Sequence, residues 1–254
     1  MRNLTKELRI AISNGKTDEV ILLLEQGAPM IIEHFVLATQ MELYDVLKLF
    51  LDRGWDINTD VDKLIPSALV YTFHDMTLLT WFLDHGADPN KRCQMRDCTP
   101  LSYAIVEAPF GIIELLFRYG GSIDRGQLLH YAAMRECSDN LEVLKFVYDK
   151  SPEVGAMKVN KLLDEDCPQD FAMNFRAGLG TPLHYAALTG SLDCVKFLVE
   201  KGGNPLIRDP YGRTALSLAI YKGNDLVAQF LQDLIKAPVS KQEATGHSNV
   251  GIAV

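Results

Sequence analysis

The chain has 254 residues, 48% of them hydrophobic and 23% charged, with a formal net charge of −8. This is an ordinary folding composition, and its acidic balance repels phosphate backbones, which argues against a general nucleic-acid role. No stretch reaches 18 uninterrupted apolar residues, so no membrane span is expected, and the five scattered cysteines argue against a disulfide framework and for a reducing, cytoplasmic or nuclear setting.

In chain order, LRIAISNGKTDEVILLLEQGA (8–28) reads as two short amphipathic helices, each closed by a glycine. FVLATQMELYDVLKLFLDRGWDIN (35–58) repeats that plan. SALVYTFHDMTLLTWFLDHG (67–86) repeats it again but has lost about two residues at the turn between its helices. TPLSYAI (99–105) and LLHYAA (128–133) open the next two pairs. TPLHYAALTG (181–190) opens a further pair: a threonine cap, a proline tolerated at the first helical position, then Leu183, Ala186 and Ala187 on one face, and Gly190 as the stop. SLDCVKFLVEKGG (191–203) is its second helix. The turn-rich NPLIRDPYGR (204–213) leads into TALSLAIYKG (214–223).

Anchoring each unit on the residue equivalent to Leu183 gives Leu8, Phe35, Leu69, Leu101, Leu129, Leu183 and Leu216, spaced by 27, 34, 32, 28, 54 and 33. A period near 33 with this motif resembles the ankyrin repeat, a turn or hairpin followed by two antiparallel helices. The resemblance spans about residues 4–235 and is fullest at 181–234; RDPYGRTALSLA (208–219) matches the family's turn-and-helix sequence almost throughout. The fold expected is an all-α solenoid of about seven stacked helix-turn-helix units over 1–236, the first and last acting as caps. The third unit, with its shortened turn, is the expected site of local opening.

The spacing of 54 marks about 20 extra residues after the fifth unit, within 151–180, where the resemblance places a hairpin finger. VGAMKVNKLL (154–163) could supply one short helix, and FAMNF (171–175) carries Phe171, Met173 and Phe175. Insertions of this kind map to loops on one face of a repeat array. The last stretch, 237–254, has no helical period and is expected to be disordered.

No phosphate-cradling loop, nucleophile elbow or zinc-protease helix motif occurs, so no catalytic residue, cofactor or metal is expected. Cys93 and Cys98 stand four residues apart without a second ligand pair and read as two separate thiols. His130 and His184 occupy one motif position, and the resemblance implies that they tie neighbouring turns together. Asn58, Asn90 and Asn204, which follow second helices, are expected to satisfy turn backbone groups.

The function implied by the resemblance is protein binding through a concave groove lined by the fingers and by the exposed positions of the first helices. Residues carried onto that surface are Arg96, Met134, Arg135, Tyr211, Arg213, Tyr221 and Lys222, a basic and aromatic set on an acidic chain. The expected partner is one or more proteins or peptides, met by a monomer. An adaptor or regulatory subunit, with the insertion and tail recruiting a second protein, is the alternative.

Overall fold

The computed structural model describes residues 3–165 and 180–236. Phe171, Met173, Phe175 and the stretch 237–254 lie outside the described residues. Within them the chain is all helical and without strands. Helices α1 (Leu4–Ser13) and α2 (Thr17–Glu25) form the first pair, and α3 (Ile32–Gln40) and α4 (Tyr44–Asp52) the second. A 3-10 helix (Ala68–Thr72) precedes α5 (Met76–Asp84). Then come α6 (Pro100–Glu107) with α7 (Phe110–Arg118), and α8 (Leu128–Met134) with α9 (Asn140–Lys150). An extra helix, α10 (Pro152–Lys158), follows. The chain ends with α11 (Pro182–Thr189) and α12 (Leu192–Glu200), then α13 (Ala215–Lys222) and α14 (Asp225–Lys236).

First helices pack in series: α1 on α3, α3 on the 3-10 helix, that helix on α6, then α8, α11 and α13 in turn. Their anchors Leu8, Phe35, Leu69, Leu101, Leu129 and Leu183 are buried, as are the small residues Ala11, Ala38, Ala104, Ala132 and Ala186, which let the rows approach closely. Because α8 packs directly on α11, the extra residues between them do not interrupt the stack.

Threonines begin three of the first helices. The Ser102 amide donates to Thr99 Oγ1 at 3.2 Å while the Thr99 amide donates to Ser102 Oγ at 3.0 Å, and Thr214 and Ser217 repeat the arrangement. Gly190 closes α11 at φ +79, a left-handed conformation in which a Cβ would lie 2.7 Å from Asn224 Oδ1. Glu42 takes the matching place after α3 at φ 55.

The third pair departs from the expected helix-turn-helix. With its turn shortened, its first element tightens to a five-residue 3-10 helix, and Asp75 then caps α5 through the amides of Thr77 and Leu78. The expected hairpin fingers are turns closed by a few backbone bonds, among them Val61 N to Ile65 O, Cys93 N to Cys98 O and Asp209 N to Arg213 O.

The last pair is not a polar cap. Ile220 holds the motif place of the fully buried Ala187 yet is 64% exposed, and Leu226 is 75% exposed.

Candidate functional site

Three sets of polar ties align the units. His184 Nδ1 accepts the Thr181 amide at 3.1 Å, which leaves Nε2 to donate to the Arg213 carbonyl at 3.0 Å in the next turn. Burial lowers its pKa, in keeping with that neutral ring. His130 bonds the Lys161 carbonyl at 2.8 Å in the same manner. Both histidines therefore tie neighbouring turns. A third, His34, contacts the Thr5 carbonyl and was not foreseen, because it lies two places earlier in the motif, before its anchor Phe35 and not after it.

Asparagines make the second set. Asn58 donates to Gly86 O and accepts the Asp88 amide; Asn90 donates to Gly120 O and accepts the Ser122 amide. Asn160 repeats the pattern with Gly202 O and the Asn204 amide. Asn204 itself accepts only within its own turn, from Leu206. Asn160 escaped notice because α10 displaces it from the expected interval. Its place puts α10 before the asparagine, and the sixth finger begins after it. The Leu163 amide donates to the Gly180 carbonyl at 3.0 Å, closing the base of that finger.

The third set joins finger to finger. Asp60 meets Lys91 Nζ at 3.0 Å and accepts Gln94 Nε2, Lys63 O accepts the Met95 amide, and Tyr103 OH donates to Leu64 O. Buried Asp97 takes the Gly126 amide and Gln127 Nε2, both at 3.0 Å.

The motif position after the histidine carries a tyrosine in four successive units: Tyr71, Tyr103, Tyr131 and Tyr185. They lie beneath the fingers. Burial raises the pKa of each, that of Tyr185 to about 12. Tyr185 OH accepts the Gly180 amide at 3.2 Å, and Tyr131 is an electrostatic neighbour of Cys98. Sequence reasoning missed this column, though the recurrence of Tyr one residue past the histidine place was the signal.

The carried-over residues divide. Tyr221 is 80% exposed, and Lys222 beside it is also exposed at the end of α13. Tyr211 and Arg213 crown the last finger, the guanidinium 4.9 Å from the Tyr211 ring centroid. Arg213 is also committed to buried Asp209 through Nε and Nη2, each at 2.7 Å. Met134 is half-buried against the core. Arg135 is a correction. It is 2% exposed and donates to Ile105 O, Ala108 O and both oxygens of Asp139. No glycine follows α8, which ends at Met134, so the chain turns the Arg135 side chain inward to cover the last carbonyls of α6. Asn224 does the same for Ala187 O and Leu188 O of α11. Arg96 alone among the three arginines has no carboxylate partner among the described residues; its only hydrogen bond there is from Nη2 to Tyr103 OH at 3.2 Å.

A family profile described as Ankyrin repeats (3 copies) matches residues 154–242. A putative ankyrin repeat protein of fowlpox virus, FPV018, is 26% identical over 210 residues, covering 72% of this chain and 28% of that protein. The chain carries ankyrin repeats. Mouse palmitoyltransferase ZDHHC13 is 23% identical over 250 residues, 90% of the ankyrin-repeat chain but 39% of that relative. Human espin-like protein is 44% identical over 55 residues, 22% of the chain and 6% of the relative. The ankyrin chain thus spans well under half of the relatives it matches. Ankyrin repeats generally mediate protein–protein interaction, typically without chemistry of their own. No described helix is long and apolar enough to cross a membrane, and no cluster of metal-ligating side chains occurs among the described residues.

Proposed function

We propose that the chain binds a partner protein through the groove between its fingers and its row of first helices. The observation that carries this reading is the split in duty along that face. Histidine, asparagine and finger-to-finger bonds fix the backbone, while Tyr211, Tyr221 and Lys222 remain exposed. A preformed surface with exposed aromatic and basic side chains binds without a large ordering cost. In this reading the protein acts as a monomer in the cytoplasm or nucleus and needs neither nucleic acid nor membrane.

Replacing Tyr211, Tyr221 and Lys222 together with alanine tests it. Capture of partners from lysate should be lost while the thermal midpoint stays within a degree or two. Unchanged capture contradicts the proposal. Arg213 is left in place because its removal strands buried Asp209.

A second reading, an adaptor, is favoured by the backbone bond from Leu163 to Gly180, which brings together the described residues on either side of 166–179. Deleting 166–179 should keep the array folded and remove one class of partner while sparing another.

A further inference from the structure

Three arginines were carried onto the binding face by sequence, and two of them hold a carboxylate of their own chain. Arg135 grips Asp139, and Arg213 grips Asp209. Arg96 sits on the fourth finger, half-buried, between the tyrosines of two successive first helices. Tyr103 accepts its Nη2 hydrogen, and Tyr131 and Cys98 are its electrostatic neighbours. Its Nε is buried and has no hydrogen-bond partner. Nη1 makes no hydrogen bond among the described residues, and the residue as a whole is only half-buried.

The carboxylates nearest in sequence and on the adjoining fingers are engaged elsewhere. Asp97 serves the Gly126 amide and Gln127, with Arg92 Nε at 3.8 Å, and Asp60 serves Lys91 and Gln94. A guanidinium removed in part from water, walled by aromatic hydroxyls and thiols, and always charged, is a strong hydrogen-bond donor left incomplete. Its planar fork matches a carboxylate.

We infer that Arg96 is the anchor for an acidic side chain of the partner. An extended segment crossing the fourth finger places one Asp or Glu against the Nη donors of Arg96, beside Tyr103. This rests on the groove reading and names the chemistry that the groove selects. The neighbouring fingers hold the anchor in place. The Tyr103 hydroxyl, which receives the Arg96 hydrogen, itself donates to Leu64 O of the third finger. Asp97 next in sequence is pinned to the fifth finger through Gly126 and Gln127. The site is therefore preorganised, and its geometry does not depend on the partner.

The test pans a random dodecapeptide display library against the full chain and against R96M and R96K. Enriched peptides should align on a single Asp or Glu, and synthetic versions with that residue changed to Gln or Asn should bind at least tenfold more weakly. R96M should select no common acid, and R96K should select it with weaker enrichment because an ammonium lacks the fork. Circular dichroism of both variants should show the helix content of the parent. Enriched peptides without a shared acid overturn the inference and leave the groove reading standing. The same acid selected by R96M also overturns it, by placing the acid's partner elsewhere. No enrichment with any chain contradicts the groove reading itself. A phosphopeptide bound tenfold more tightly than its Glu counterpart would reassign the anchor from carboxylate to phosphate and overturn the commitment made here.

Discussion

The third and sixth pairs hold their neighbours by different means. In the sixth, Thr181 and His184 form a reciprocal cap, His184 reaches the next turn, and Gly190 ends α11 in a left-handed conformation beside Asn224. In the third, Ser67 takes the place of the threonine, but its buried hydroxyl has no hydrogen-bond partner, and Val70 stands where the histidine would be. The helix that follows tightens to 3-10. The asparagine and finger bonds remain, and what stands in place of the threonine–histidine tie is an aromatic cluster just upstream and across. Phe35 lies 5.9 Å from Phe50, 5.5 Å from Trp55 and 5.9 Å from Phe82, ring centroid to centroid. A repeat loses the threonine–histidine motif and keeps its place where non-directional burial takes over from that cap. The cost is local rigidity: apolar contacts resist separation but do not fix the backbone of a single turn as a cap does.

The largest way to break the comparison is Phe35→Ala. The side chain is fully buried and touches three other rings, so the loss should be about 3–5 kcal/mol in denaturant unfolding, since the cavity lies where no polar tie can compensate. Removing the polar tie comes next. His184→Ala strands the Thr181 amide and the Arg213 carbonyl and should cost about 1–3 kcal/mol. It should also make the sixth pair behave like the third, with its amides opening locally before the array unfolds. Gly190→Ala should cost about 1–2 kcal/mol, because an L side chain is strained at φ +79 and its Cβ meets Asn224.

Acid gives a smaller and signed effect. Burial lowers the pKa of His34 and His184 below the usual 6.5. Between the folded value and 6.5 the unfolded chain binds protons that the folded chain refuses, so stability rises with pH across that window. The contribution is complete above about pH 6.5 and is lost as the solution is acidified toward pH 5. Thermal midpoints measured from pH 7 to 5 should fall, and H184Q should fall less steeply than the parent. The smallest effect belongs to the exposed end: Tyr221→Ala and Leu226→Ser should each change unfolding by no more than about 0.5 kcal/mol.

The same contrast explains what the sequence made readable. From Thr99 onward the caps, small residues and stop glycines are chemically distinctive, so helices α6, α11 and α13 could be placed from them. The tie made by His184 was equally legible, because the motif puts a histidine three residues after its threonine. The third pair kept only its apolar anchors. Anchors report burial without saying whether the backbone turns as α or 3-10, and the shortened turn decided that. Asn160 was hidden because its register depends on where the seven-residue α10 is inserted. Arg135 was placed on the wrong face for a related reason. Its charge suggested the surface, while the missing glycine after α8 turns the side chain toward the carbonyls of α6, where four hydrogen bonds satisfy it. Tyr221 and Lys222 could be placed because nothing in their unit competes for them.

First helices are thus held by a threonine–histidine tie in one region and by aromatic burial in another. Native-state hydrogen exchange, resolved by residue, tests it most directly. Amides of Ala68–Thr72 should exchange through a local opening well below the free energy of full unfolding, while those of residues 183–189 and Ala215–Lys222 remain protected close to that limit. Equal protection across the third, sixth and seventh pairs, lost in one global step, would contradict it.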